Sequence, residues 1–192
     1  HFASRSAMRL DGIGDKLIEQ LINAGYVNDF SDLYKLTKED LLKLEGIEEK
    51  KADNILRSLE SSKKTKFNKF LYALGIRHVG EETAKDIARI YDLTELKKAT
   101  LEEILEVPNI GDITAKSIYS YFHDESKLMI IDELIHCGIE FEDTPKGLGV
   151  LKDKTFCITG SFENMSRDQL KTIIENNGGK VSGTVGKSTS YL

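Results

Sequence analysis

Cys137 and Cys157 are the only thiols in this chain. Two are too few for a four-cysteine zinc site, and two buried thiols in a reducing cytoplasm is the plainer reading. The four histidines, His1, His78, His123 and His136, show no metal-ligand spacing. No run approaches the ~18 uncharged apolar residues of a membrane span, so no membrane partner is expected. The opening segment HFASRSAMRL has neither an apolar core nor a cleavage site, and it is not expected to be a signal peptide. Cations are also in deficit, with 27 Lys and Arg against 32 Asp and Glu and a net charge of −5. This balance argues against binding a polyanion only through a broad basic face. What remains is a folded protein of 192 residues, 40% hydrophobic and 31% charged, long enough for one large or two small domains.

Against these absences one pattern occurs four times. Gly12-Ile13-Gly14, Gly46-Ile47-Glu48, His78-Val79-Gly80 and Asn109-Ile110-Gly111 each follow an apolar residue and a spacer. Four residues beyond each triplet stand Ile18, Ala52, Ala84 and Ala115, each opening an amphipathic run. A short turn of small residues that feeds a helix start exposes unpaired backbone N–H groups at the positive end of the helix dipole. That is a place to hold a phosphate, and four such turns suggest a surface that grips a polyanion at several points.

The turns belong to a larger duplication. Thr37 lies nine residues before Gly46, and Thr100 nine before Asn109, with Leu41, Leu42 and Leu44 matching Ile104, Leu105 and Val107. An offset of 63 maps Ala52 onto Ala115 and Leu33 onto Leu96, while the first and third turns stand 66 apart. Thr37 and Thr100 are expected N-caps, with Asp40 and Glu103 completing capping boxes. The stripes Leu17/Ile18/Leu21/Ile22, Ile55/Leu56/Leu59, Ile87/Ala88/Tyr91 and Ile118/Tyr119/Phe122 have helical spacing and are expected to be core. Residues 1–139 thus read as an all-helical domain.

Residues 140–147 read as a linker, since charge, Pro145 and Gly147 occur there without a period. Residues 148–192 read as the first half of an α/β domain. Thr155–Gly160 has a buried-strand pattern, Ser166 with Gln169 opens a helix, Gly178-Gly179 ends it, and Lys180–Ser182 resumes as strand. The charge follows this division. Residues 1–145 carry 20 Lys/Arg and 28 Asp/Glu, a net −8, and residues 146–192 carry 7 and 4, a net +3. Within the acidic part, Arg57–Arg77 holds six cations against Glu60 alone.

The repeated turns resemble the helix–hairpin–helix motif of DNA-repair and replication proteins. The segments FCITGSF, SRDQL and NNGGKVSGTVGKSTSYL resemble the front half of a BRCT domain. With HFASRSAM and LYALGIRHVGEETAK, the combination resembles the C-terminal part of the bacterial NAD-dependent DNA ligase family, over essentially the whole chain. The resemblance implies a mainly α fold of four tandem hairpins in duplicated pairs, then a truncated BRCT domain. It implies sequence-independent contact with backbone phosphates across the minor groove of nicked duplex DNA. It further implies a cytoplasmic, monomeric enzyme with other ligase domains, NAD, zinc and a divalent metal such as Mg, none of them expected to bind to this chain.

Carried over to these residues, the contacts fall on Gly12, Ile13, Gly14 and Lys16 in turn one, and on Arg77, His78, Val79, Gly80 and Lys85 in turn three. In turn four they fall on Asn109, Ile110, Gly111 and Lys116, where Asn109 replaces a glycine but tolerates left-handed backbone. Turn two supplies Gly46, Lys50 and Lys51, but Glu48 replaces its second glycine and Glu49 follows. It is therefore expected to be the weakest contact. Lys63, Lys64, Lys66 and Lys69 are further candidates, against the plain reading of a solvated helix end or linker. The family's adenylated lysine in a K-x-D-G motif is missing. Arg9-Leu10-Asp11-Gly12 is the nearest match, and arginine cannot serve as the amine nucleophile.

Three rival readings have less support. Gly186-Lys187-Ser188-Thr189 lacks the upstream glycine of a P-loop, having Val181 there. A hairpin-containing base-excision enzyme would need a nucleophilic lysine or an activated aspartate downstream of a hairpin, in a pocket for a flipped base, and Asp124 and Asp132 read as ordinary helix surface. Thr159-Gly160 matches a phosphate-binding position of some BRCT relatives, and a strand end is the plainer reading. The alternative of another class is a non-catalytic scaffold whose BRCT half binds proteins.

Overall fold

The computed structural model describes residues 1–142, 151, 154–160, 165–186 and 189–192. The chain divides into two units, His1–Asp143 and Thr144–Leu192. In the first, α1 (Asp15–Asn23) leads through a 3-10 turn (Ser31–Lys35) to α2 (Lys38–Leu42) and α3 (Glu49–Ser62). After the short strand β1 (Lys64–Thr65) come α4 (Phe67–Ala73), α5 (Glu81–Ile90), α6 (Leu93–Leu96), α7 (Leu101–Leu105), α8 (Asp112–Phe122) and α9 (Glu125–His136), and then β2 (Glu140–Phe141). Within this unit α2 packs on α3, α4 on α5 and α7 on α8. Each is one helix–turn–helix of the repeat.

Both expected capping boxes form. The Thr37 hydroxyl accepts from the Asp40 amide at 3.2 Å, and the Asp40 carboxylate accepts from the Thr37 amide at 3.1 Å. At Thr100 and Glu103 the equivalent distances are 3.2 and 2.8 Å. The duplication is equally clear in the core, where Leu33 and Leu96, Leu41 and Ile104, Ala52 and Ala115, and Ile55 and Ile118 are all buried. Of the expected core stripes, Ile18, Leu56, Tyr91 and Tyr119 are half-buried, and Ile22 is 56% exposed. It stands about 140° around the helix from Leu17, at ~100° per residue, and falls off the buried stripe.

The linker expected at 140–147 begins later. Glu140 and Phe141 pair in parallel with Lys64 and Thr65, with the Glu140 amide donating to the Lys63 carbonyl at 2.8 Å. The Phe141 ring holds the pair down by edge contacts with Phe67 and Phe70, at 5.1 and 5.0 Å between centroids. Aromatic burial, rather than local propensity, sets this boundary. Residues 143–147 of the expected linker lie outside the described residues.

In the second unit β3 (Thr155–Cys157), α10 (Arg167–Asn176) and β4 (Lys180–Ser182) form the expected βαβ unit, with Phe156 beside Val181 in a parallel register. Ser166 and Gln169 make their capping box at 3.2 and 2.8 Å. Gly179 is required by packing, because a Cβ there would lie 2.6 Å from Ile174 Cγ2. On the other side of β3, Tyr191 bridges Phe156. Residues 148–150, 152–153, 161–164 and 187–188 of the expected BRCT half lie outside the described residues. Among the described residues no helix is long and apolar enough to cross a membrane.

The capping boxes give a stability test. Thr37→Ala and Thr100→Ala should each cost about 1 kcal/mol in denaturant melts near neutral pH. The Thr37 hydroxyl, then its amide, holds the Asp40 carboxyl below its ordinary value. The stability linked to that lowered value is full above the ordinary carboxylate range and is lost as pH falls through the lowered one. The Thr37→Ala penalty should therefore shrink in acid.

Candidate nucleic-acid interface

The four turns share one backbone. In each, the amide of the fourth residue donates to the carbonyl of the first: Ile13 to Leu10 at 3.3 Å, Ile47 to Leu44 at 3.3 Å, Val79 to Ile76 at 3.0 Å and Ile110 to Val107 at 3.2 Å. The third residue is left-handed, with φ of +88° at Gly12, +72° at Gly46, +67° at His78 and +66° at Asn109. The first and fourth residues of every turn are buried. The side chains of Ile13, Val79 and Ile110 thus anchor each turn in the core, and any outward contact at these positions would be through backbone.

The residue after each turn is the N-cap of the following helix: Gly14 for α1, Glu48 for α3, Gly80 for α5 and Gly111 for α8. All four have extended backbone, and none of these helices has a side-chain cap. By contrast α2, α6, α7 and α9 are capped by Thr37, Asp92, Thr100 and Asp124. Extended backbone suits any residue, and a Cβ at Gly14, Gly80 or Gly111 would meet nothing within 4 Å. Neither conformation nor packing explains glycine at these three places. Its remaining effect is to leave the first-turn amides open to close approach from outside.

The turns brace each other in pairs. In the first pair, Gln20 of α1 donates to the Glu45 carbonyl of turn two at 3.2 Å, and the Asp11 amide of turn one donates to Ser58 of α3 at 2.7 Å. In the second pair, Asn109 of turn four donates to Asp86 of α5 at 3.2 Å, and the Tyr121 hydroxyl of α8 donates to the Leu74 carbonyl ahead of turn three at 3.5 Å. Gln20 and Asp86 are 66 positions apart, and Ser58 and Tyr121 are 63 apart, matching the duplication. Burial pushes the Tyr121 phenol up to about 12, so it stays a donor across the physiological range.

The basic side chains do not all stand free. Lys16, Lys50, Arg77, His78 and Lys116 are exposed beside their turns. Lys51 instead donates to the Gly46 carbonyl at 3.2 Å, and Lys85 to Glu82 at 2.6 Å, which holds the Glu82 carboxyl low. In turn two, Glu49 pairs with Lys38, which also meets Asp53 at 2.9 Å. Carboxylates at Asp15, Glu49, Glu81 and Asp112 occupy the first position of each hairpin helix, a dipole-favoured place. The strip 63–69 is neither a helix end nor a linker throughout. Lys63 pairs with Glu60 at 2.6 Å, Lys64 lies in β1, Lys66 stands at the N-cap position of α4 without a side-chain cap, and Lys69 is exposed on α4. Two features escaped the sequence: the left-handed His78, and Arg5, which the fold brings to Lys69 and Lys85.

Cys137 and Cys157 lie in different units, and burial pushes the Cys137 thiol up rather than readying it as a thiolate. Among the described residues no three His, Cys, Asp or Glu side chains converge to hold a metal ion. Asp124 caps α9 by accepting from the Ser126 amide at 2.9 Å, and Asp132 pairs with Lys97. In the second unit, Arg167 donates to the Gly160 carbonyl at 2.9 Å. Of the P-loop-like run, Lys187 and Ser188 lie outside the described residues.

Comparison with known proteins agrees with this geometry. Residues 4–61 match the SAM-like helix–hairpin–helix tandem family, residues 69–131 the helix–hairpin–helix motif family, and residues 147–192 the BRCA1 C-terminus (BRCT) domain family. Along its whole length the chain is 41% identical to a DNA ligase of Geotalea uraniireducens (strain Rf4), covering 29% of that protein. It is 40% identical to a DNA ligase of Clostridium botulinum (strain Loch Maree / Type A3) and 42% to one of Clostridium novyi (strain NT), again covering 29% of each. The chain thus carries helix–hairpin–helix and BRCT matches and is similar along its whole length to part of these DNA ligases. It is consistent with the C-terminal part of such an enzyme and spans under a third of the length of these relatives.

Stability should separate the two glycines of turn one. Gly12→Ala forces an L residue into left-handed backbone and places its Cβ 3.3 Å from Ile55. It should cost about 1–2 kcal/mol. Gly14→Ser and Gly80→Ser introduce a preferred N-cap into open space and should melt at or above the wild-type denaturant midpoint.

Proposed function

We propose that this chain grips duplex DNA at a nick, without regard to sequence, through phosphates bordering the minor groove. It would do so as the C-terminal part of a bacterial, cytoplasmic, monomeric NAD-dependent DNA ligase that seals nicks in replication and repair. Lysine adenylation by NAD, zinc binding and the divalent metal belong to other domains of that enzyme, so this chain alone is inactive. The observation that carries the reading is the set of hairpin helices α1, α5 and α8, whose N-caps are glycines that neither backbone nor packing demands. Open amides recognise phosphate and are indifferent to base identity. They also carry no formal charge, so a grip of this kind is compatible with a net −5 chain.

Turn two is the exception within this reading. Glu48 stands at the N-cap where the other three hairpins have glycine, and Lys51 is drawn back to the turn's own carbonyl. It acts as a packing partner of turn one and contributes least to DNA.

Titration of the chain with nicked and intact duplexes across a salt series tests the proposal. Affinity should fall with salt and vary little with sequence. Hydrogen bonds to charged groups are worth about 1.5–3 kcal/mol, so Gly14→Ser and Gly80→Ser should each weaken binding about tenfold or more while the fold persists. Glu48→Gly should strengthen it. Wild-type binding that both serine variants retain would exclude the hairpin amides as the grip.

A further inference from the structure

A hollow of about 270 Å³ in the first unit brings two of the candidate contacts, Lys69 and Lys85, together with Arg5. It is lined by Arg5, Ser6, Asn68, Lys69, Tyr72 and Lys85, with Glu81 as the one carboxylate among its lining residues. Three cations thus meet in one concavity of a unit whose sequence is strongly acidic. The hollow exists because the first residues are pinned to the core. Phe2, Ala7 and Met8 are buried, and the His1 ring sits edge-on to Tyr72 at 4.7 Å with its Nε2 at 2.8 Å from the Tyr72 carbonyl. That anchoring sets Arg5 and Ser6 opposite the side chains of α4 and α5.

Among the described residues neither the Arg5 nor the Lys69 side chain has an ion-pair or hydrogen-bond partner, although the surface is rich in carboxylates. Lys85 is shared with Glu82. Gathering like charges without a counter-charge is unfavourable, and an anion would relieve it. The donors suit a tetrahedral oxyanion: a guanidinium fork, two ammonium groups, the Ser6 hydroxyl and the Asn68 amide. The volume is several times the ~30 Å³ of a liquid water molecule, leaving room for a hydrated phosphate. Glu81 and Lys85 belong to α5, whose N-cap is the Gly80 of turn three.

We propose that this hollow holds a DNA backbone phosphate beside the one taken by turn three. The proposal rests on the duplex-binding reading and adds a fifth grip, built from side chains rather than amides. Nothing in the hollow reads bases, so it contributes affinity and orientation without sequence preference.

The test is duplex binding of an Arg5→Gln/Lys69→Gln double variant across the same salt series. Both side chains are exposed and have no polar partner among the described residues, so thermal melting should match the wild type. Affinity at low salt should fall about tenfold, and the slope of log K against log salt should become shallower by about 1, the change expected for one lost phosphate. A control variant, Lys43→Gln/Lys98→Gln, removes two cations outside the hollow and should change the slope far less. An equal loss in the control would overturn the proposal, since overall charge alone would then account for it. Unchanged binding by the hollow variant, with Gly14→Ser and Gly80→Ser still weakened, would overturn the hollow and leave the hairpins standing. Inorganic phosphate that shifts the amide resonances of residues 68, 69 and 85, without any loss of duplex affinity in the double variant, would reassign the site to a free anion. Failure of the wild-type chain to bind either duplex would sink both.

Discussion

Every hairpin depends on a left-handed residue clamped between two buried side chains. The clamp explains how the backbone survives loss of glycine at two of four turns. Left-handed geometry costs an ordinary L residue about 1–2 kcal/mol, whereas fully burying an aliphatic side chain returns about 1.5–3 kcal/mol. At turn three Ile76 and Val79 are both buried around His78, and at turn four Val107 and Ile110 are buried around Asn109. Two burials outweigh one strained residue. The turn is thus dictated by its flanking apolar residues, and its third position accepts His78 and Asn109 in place of glycine.

The acidic composition is less of an obstacle to polyanion binding than net charge suggests. Asp15, Glu49, Glu81 and Asp112 sit at the first position of the hairpin helices, where a carboxylate complements the dipole by about 0.3–1 kcal/mol. They stabilise helix ends that have no side-chain cap. Other carboxylates are occupied with partners inside the fold, such as Asp40 with Thr37, Asp53 with Lys38 and Asp132 with Lys97. The amides that face outward carry no formal charge at all. What the sum of charges misses is the local contrast at Arg5, Lys69 and Lys85.

Much of the fold was legible in the sequence because it is carried by local signals. The glycine frames marked the turns, Thr37 and Thr100 marked helix starts, and the 63-residue offset revealed the duplication. Features that depend on distant partners were not legible. The β1–β2 pairing joins two-residue strands across 75 positions, too short for any period, and is set by Phe141 meeting Phe67 and Phe70. Arg5 carried no signal as a site residue, because its neighbours Lys69 and Lys85 are supplied only by folding. Ile22 misled because an apolar residue one place past a buried position, near a helix end, looks like more of the same stripe.

The bracing within pairs gives turn two a reason to persist despite Glu48. A phosphate receptor works well only if its donors are already in place, since ordering them on binding would consume part of the interaction. Turn one is held from α3 through Ser58 and Ile55, and α3 is held in turn by Gln20 of α1 gripping the carbonyl of turn two. Removing turn two would loosen turn one, whatever turn two itself binds. In the second pair the same corners are occupied by Asp86 with Asn109 and by Tyr121 with the Leu74 carbonyl, and the glycine N-cap is kept in both turns. The duplication therefore conserves the brace more strictly than the grip. A carboxylate at one N-cap is tolerable because the structural duty of a hairpin lies in its buried turn, while its outward duty lies in the single exposed residue that follows.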